Sequence, residues 1–343
     1  MAKVTISQIA KEAGVSKTAV SFAFNAPTQL APATVRHIRD IAERLGYTPD
    51  PIARSMTTRR TNALGLLLPQ DIATALANPF YTQFIRGLGQ VCGRAGLTLM
   101  LVPPLWGSMM KAIPHATVDG FVVLGLEVDR GEVQLMRRRY KPFVLVDSDA
   151  PDDVPSVNID DRGGAQMAME YVLAHGHRRI AIVAFESGKA GHITAYTGTL
   201  AARLDGYRAA LAAYGLTLDD ERIQLVEVPS SWEGGQAAFA RLWQTPIQPT
   251  ALVAMSDIIA IGAIDAAKAC GLQLPHDLSI VGFDDVPDAQ YVSPGLTTVR
   301  QPVEAKGILA AEVLVAVLQQ ERDVIHKVLP CELVVRQSVV AYK

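Results

Sequence analysis

Apolar positions recur along this chain in two rhythms, and the change between them falls near residue 62. Before it, Ile6, Ile9, Ala10 and Ala13 sit at helical spacing and make one stripe, and Val35, Ile38, Ile41, Ala42 and Leu45 make another. After it come continuous apolar blocks at 63–69, 97–104, 120–125, 142–147, 179–185, 223–228, 251–256 and 278–283. Blocks rather than alternations mark strands buried on both faces, as in a parallel sheet. Helical stretches such as 81–95, 163–175, 204–214, 234–244 and 258–270 lie between them, so the body is expected to be doubly wound α/β. It is too long for one such sheet, and two subdomains are expected. Late strands at 297–302 and 328–335 would join earlier sheets. The chain is expected to cross between subdomains near 158–162, 286–292 and 322–328.

The first stripe has punctuation around it. Thr5 can N-cap a helix, with Gln8 completing a capping box. Gly14 stops that helix where a positive φ costs little. Val15 reads as a buried corner and Ser16 as the next N-cap. Val20, with Ala19 or Ala23, continues the apolar contact, leaving Lys17, Thr18 and Phe22 on the outward face. Ala10 suits a close helix crossing. A third helix is expected over 32–45, ending at Gly46, and Ala31 is a weak cap for it. Together these predict an all-α helix-turn-helix head. Beyond it, Asp50 can cap a short helix with Pro51 at its first position. Such a helix is marginal alone, and a plain basic linker fits the same residues.

Charge sharpens the division. The formal net charge is −2, but residues 1–60 carry nine Lys/Arg against four Asp/Glu, a net of +5 on the head and −7 on the rest. A basic head on an acidic body is the footprint of phosphate binding confined to one end. Cys92, Cys270 and Cys331 lie far apart in apolar sequence and read as reduced core residues. The chain begins without a signal peptide, and no apolar run is long enough to span a membrane, so a cytoplasmic protein is expected and an exported solute binder is disfavoured.

Open α/β sheets present ligands at strand ends. That singles out Asp147, Ser256, Asp257, Asp284 and Asp285. Asp257 equally fits a helix cap, and Asp285 a structural role. The run 186–191 follows a strand but is not a phosphate loop, since Val183 stands where the first glycine belongs and Ala190 where Ser or Thr should be. No nucleophile-elbow, zinc-protease or dinucleotide fingerprint is present. The paired acids Asp160–Asp161 and Asp284–Asp285 lack the spacing of a calcium loop. No catalytic residue, metal or cofactor is therefore expected. A cytosolic binding protein and an enzyme remain competing classes.

The segments VTISQIAKEAGVSKTAVSFAFN and PATVRHIRDIAERLGYTPDPIARSM resemble the head of the lactose-repressor (LacI/GalR) family of bacterial transcription regulators, and the likeness extends over essentially the whole chain. The resemblance implies a periplasmic-binding-protein-like body of two doubly wound parallel-sheet subdomains, with a ligand cleft between them. It implies domains at 1–47 (head), 48–61 (hinge) and 62–343 (effector binding). The body would divide at about 62–158 with 290–324, and about 160–288 with 326–343. By matching positions, Lys17, Thr18 and Phe22 would meet base edges, and Thr5, Ser16, Ser21 and Asn25 would support or contact the backbone. Ala53 and Met56 would enter the minor groove, Met56 as the wedge. Many relatives carry a basic residue in place of Phe22, and an asparagine in place of Asp50. Arg203, Phe80, Tyr81 and Trp232 join the strand-end residues as matched effector contacts, although Trp232 also reads as core. Acids, an arginine and flat aromatics suit a sugar ring, while a purine corepressor suits the aromatics alone. The implied partners are double-stranded pseudo-palindromic operator DNA, a sugar-like effector and a second copy of the chain, with no membrane. The stretch between Pro104 and Asp119 is shorter than usual for the family, so one helix of the first lobe should be trimmed.

Overall fold

The computed structural model describes residues 4–48, 55, 60–125, 131–139, 141–186, 197–320 and 324–342. The chain divides into two compact units, residues 1–63 with 117–119, and the remainder.

In the first unit, α1 (Ile6–Ala13), α2 (Lys17–Asn25) and α3 (Pro32–Arg44) enclose a core of Ile9, Ala10, Ala13, Val20, Ala23, Ile38, Ile41 and Ala42. The Thr5 hydroxyl accepts from the Gln8 amide while the Gln8 side chain accepts from the Thr5 amide, which closes the capping box. Gly14 ends α1 at φ +67°. Ser16 accepts from the Ala19 amide and starts α2. Val15 is half-buried rather than a buried corner, because only its inner side meets the core. Arg39 of α3 donates twice to the Ala23 carbonyl, tying the last turn of α2 to α3. Ala31 sits in the extended geometry of an N-cap with no side chain able to accept. Ala31→Ser is therefore expected to stabilise the head by about 1 kcal/mol. That gain would appear as a higher melting transition for the head by circular dichroism, and an unchanged transition would count against the missing cap.

The second unit is built on two six-stranded sheets. The first contains β1 (Ala63–Leu67), β2 (Thr98–Val102), β3 (Gly120–Leu124), β4 (Phe143–Val146), β5 (Ser156–Ile159) and β11 (His326–Leu329) in the order β11-β5-β4-β3-β1-β2. The second contains β6 (Ile180–Phe185), β7 (Ile223–Val228), β8 (Ala251–Ala254), β9 (Ser279–Asp284), β10 (Thr297–Arg300) and β12 (Glu332–Val334) in the order β12-β10-β9-β8-β6-β7. The β10–β12 pair is antiparallel. Along the first lobe run α4 (Ile72–Ala77), α5 (Pro79–Ala95), α6 (Met109–Ala112) and α7 (Glu132–Arg138). The second lobe has α8 (Asp161–Ala174), α9 (Gly198–Ala213), α10 (Trp232–Trp243) and α11 (Asp257–Ala269), while α12 (Val303–Leu318) returns to pack on the first sheet.

The continuous apolar blocks have their reason in β6. Ile180, Ile182 and Ala184 face the layer of α8 and α9, and Ala181 and Val183 face the layer of α10 and α11. A strand buried on both sides leaves no polar alternation to read.

Two expected crossings move. Thr297 pairs with Val281, so residues 297–300 stay in the second lobe and the chain crosses at 301–302, not at 286–292. The block 328–335 divides at Pro330, which has no amide proton to extend a ladder. Its first part pairs with β5 in the first lobe and its second with β10 in the second, so the last crossing is at 330–331 rather than 322–328. Consequently residues 290–300 belong with the second lobe and 326–329 with the first. The only helix between β2 and β3 is the four-residue α6, followed by a single 3-10 turn. Cys92 is buried and Cys331 half-buried, but Cys270 is exposed at the end of α11, where the helix turns into solvent.

Candidate functional site

On the head, Lys17 and Thr18 are exposed at the first turn of α2. Phe22 is half-buried and stands outside the core that receives Phe24, so its ring remains on the outer side of the helix. Ser21 and Asn25, one turn apart, share a hydrogen bond of 3.3 Å between their side chains. The Thr5 and Ser16 hydroxyls hold their helix starts, which fixes the angle at which α2 leaves the turn. An exposed lysine and a threonine methyl at the leading end of a helix can reach guanine and thymine edges in a major groove. Residues Asp50, Ala53 and Met56 of the expected hinge lie outside the described residues.

The second unit holds a cavity of about 470 Å³ between its lobes. The strand-end rule brings its residues together. Asp147 follows β4, Asp284 ends β9 and Ser256 follows β8, and all three line this space with Arg203 of α9 and with Phe80 and Tyr81 of α5. Three strand-end acids lie at positive φ, Asp147 at +50°, Asp284 at +126° and Asp285 at +56°. Such conformations are costly for a non-glycine residue and persist where neighbours over-determine them. Here the neighbours are cations and amides. Lys306 Nζ donates to both Asp147 oxygens at 2.8 and 2.6 Å, and Gln301 donates to Asp284 at 2.5 Å. Asp285 is held by Arg300 and Arg336, each at 2.6 Å, in a structural role away from the cavity lining.

Arg203 is buried. Its Nε donates to Asp161 at 2.8 Å, its Nη1 to the Met255 carbonyl, and its Cζ lies 3.6 Å from the Phe283 ring centre. Burial raises the Asp161 carboxyl above its usual range, against the pull of Arg203. Burial likewise pushes Asp284 up to about 6, although Arg203 and Gln301 oppose it.

Two expected contacts are not on the cavity. Asp257 is fully buried at the start of α11, where it accepts from the Thr298 hydroxyl at 2.5 Å and the Val286 amide at 2.9 Å. It ties α11 to β10 and to the chain leaving β9, which is neither of its two readings: the N-cap of α11 is Ser256, and the Asp257 carboxyl bonds no amide of its own helix. Trp232 begins α10 with its indole turned along α11, donating to Asp265 at 2.8 Å, and it is 37 % exposed, so it is neither core nor lining. The serines just before it, Ser230 and Ser231, reach the cavity instead. Sequence reasoning missed these, and also Asn78, Gln301 and Lys306. The available signal for Lys306 was a single lysine in the apolar run of α12.

Burial, with Asp284 nearby, pushes Asp257 up to about 8. A carboxyl with a folded pKa above its unfolded value holds more protons when folded, so stability falls as pH rises between about 4 and about 8. Asp257→Asn, neutral throughout, is expected to flatten this part of the profile, so that its stability relative to the wild type rises from pH 4 to pH 8. Melting temperatures from pH 4 to 9 test it, and an unchanged slope in the variant would remove Asp257 as the cause.

Comparisons with known proteins agree with both halves. Residues 5–50 match the family described as bacterial regulatory proteins, lacI family, and residues 169–339 match the periplasmic binding protein-like domain. A regulator from Mycolicibacterium smegmatis, named as an HTH-type transcriptional regulator, is 34% identical over 338 residues, covering 91% of this chain and 90% of its own. The ribose operon repressor of Escherichia coli K12 is 31% identical over 333 residues, covering 93% and 96%. Among solved structures, the transcriptional regulator CelR in complex with cellobiose superposes with a TM-score of 0.72 at 28% identity, over 98% of this chain and 100% of that one. With a helix-turn-helix head and a two-sheet body on one chain, and relatives of this identity along nearly all of it, the protein belongs to the lacI family of bacterial transcription regulators.

Proposed function

We propose that this protein represses genes of carbohydrate uptake or catabolism in the cytoplasm and is released from its operator by a sugar-like effector. Two copies place their heads on a pseudo-palindromic double-stranded operator, with Lys17, Thr18 and Phe22 toward base edges and Ser16, Ser21 and Asn25 toward the backbone. Ala53 and Met56 complete the proposed contacts in the minor groove. The observation that carries the effector reading is the cavity lining: Asp147, Asp284 and Arg203 offer paired acceptors and donors, and Phe80 and Tyr81, in edge contact at 5.3 Å, offer an apolar wall. Vicinal hydroxyls and the C–H face of a sugar need both. The names of the ribose operon repressor and of the cellobiose complex support the same ligand class. A flat purine would use the aromatics and leave the remaining lone pairs of the strand-end acids, beyond Lys306 and Gln301, unused.

If the effector is an inducer, operator and effector must weaken each other by the same factor. The test is a thermal-shift panel of sugars, sugar phosphates and purines, followed by operator release with each hit. A stabilising sugar that also lowers operator affinity is the expected result. Stabilisation by a purine alone, or by nothing in the panel, would overturn the carbohydrate reading.

A further inference from the structure

We infer that the cavity takes an uncharged, hydroxyl-rich ligand and discriminates against phosphorylated or carboxylated sugars, and that Lys306 is the positioning residue that sets this preference. The inference rests on the carbohydrate reading above and narrows it.

Lys306 lies on α12 with no solvent exposure. Its ammonium has three protons and three acceptors: both oxygens of Asp147, and Gln301 Oε1 at 2.6 Å. A bare ammonium in this position would cost far too much to bury, and pairing is what permits it. Asp147 therefore meets the cavity as a carboxylate whose charge is already balanced. Gln301 carries the connection onward, accepting from Lys306 and donating to Asp284. One hydrogen-bonded chain thus joins the strand-end acids of the two lobes through the 301–302 crossing.

The other cation is matched in the same way. Arg203 faces the cavity with Asp161 bound at 2.8 Å. Among the described residues, then, both cations at this site already hold a counter-ion. The acids left over on the lining are Asp284 and Glu186. Three helix starts at the lining, which elsewhere attract anions, are occupied too, while the start of α11 at Ser256 has no side-chain cap. Gly198 at the start of α9 donates its amide to Asp149 at 2.9 Å, Asn78 caps α5, and Ser231 caps α10. A phosphate or carboxylate entering here would lose its hydration, face the acids Asp284 and Glu186, and find no uncommitted cation among the described residues.

Hydroxyl groups are treated differently. Each Asp147 oxygen keeps a second lone pair beyond Lys306, and Asp284 keeps Oδ2 beyond its bond from Gln301. Arg203 keeps its Nη2 protons beyond the bonds made by Nε and Nη1. Neutral acceptors and donors can use all of these without adding charge.

The full-length protein can be titrated calorimetrically with matched ligands: ribose and ribose 5-phosphate, then glucose, glucose 6-phosphate and glucuronate, with cellobiose as a further neutral probe. A neutral sugar binding at least tenfold tighter than its charged counterpart is expected. Asp147→Asn leaves Lys306 without its counter-ion beside the cavity, so it is expected to narrow or invert that ratio. The wild-type ratio is decisive without any variant. A charged member binding the wild type more tightly than its neutral partner would overturn this inference while sparing the carbohydrate reading. No binding by any sugar, neutral or charged, would overturn both. A ratio unchanged in a folded Asp147→Asn protein would remove Lys306 from its assigned part.

Discussion

Arg203→Met should cost the body about 3–5 kcal/mol and abolish its response to effector. The figure is that for breaking a buried ion pair by removing one partner. Asp161 keeps its burial but loses the guanidinium at 2.8 Å, and Met255 loses a donor to its carbonyl. The methionine preserves much of the packing against Phe283, so the loss reports charge rather than a cavity. Asp161→Asn added to Arg203→Met removes the stranded carboxylate, and the double variant is expected to be more stable than Arg203→Met alone. Urea unfolding of the single and double variants measures both effects. A single variant within about 1 kcal/mol of the wild type would show that the pair is not a determinant of the second lobe. Operator binding without effector should survive wherever the protein folds, because the head carries its own core.

The second large effect is expected from one methyl group. Gly262 of α11 and Gly235 of α10 face each other, and a Cβ on Gly262 would stand 2.0 Å from the Trp232 carbonyl oxygen, while one on Gly235 would stand 2.1 Å from the Ile259 carbonyl oxygen. In an ordinary exposed helix, glycine to alanine gains about 1 kcal/mol. Here the obstruction on each side is backbone, which cannot rotate away. Gly262→Ala should therefore reverse that sign and destabilise by about 3 kcal/mol, the upper part of the range for overpacking. The helices must separate, and α11 begins beside Ser256, so effector affinity should fall as well. Thermal unfolding together with a ligand titration checks both, and a more stable Gly262→Ala protein would refute the close crossing.

How much of this was legible beforehand depends on sequence distance. The head was readable almost residue by residue, since Thr5 with Gln8, Gly14 and Ser16 act within a few positions of themselves. The strands were readable as apolar blocks, apart from the short β5, whose Asn158 interrupts the pattern to bond the Ser148 backbone. The strand-end acids Asp147 and Asp284 were readable because open parallel sheets gather ligands there. Trp232 and Asp257 were not decided by the same signs. An aromatic or an acid at a helix start looks alike whether it turns to a cavity or to the neighbouring helix, and here Asp265, Thr298 and Val286 claimed them.

The order of the elements, the division into head and body, and the positions of the strand-end carboxylates follow from the sequence itself, since capping, periodicity and burial pattern are local properties. Which lobe each late strand joins, and which charge answers Asp147, was decided only by tertiary structure. Lys306 lies 159 residues away from Asp147. No local pattern encodes that pairing, and it exists because the crossing at 301–302 returns α12 beneath the first sheet, where a buried ammonium is stable only beside a carboxylate.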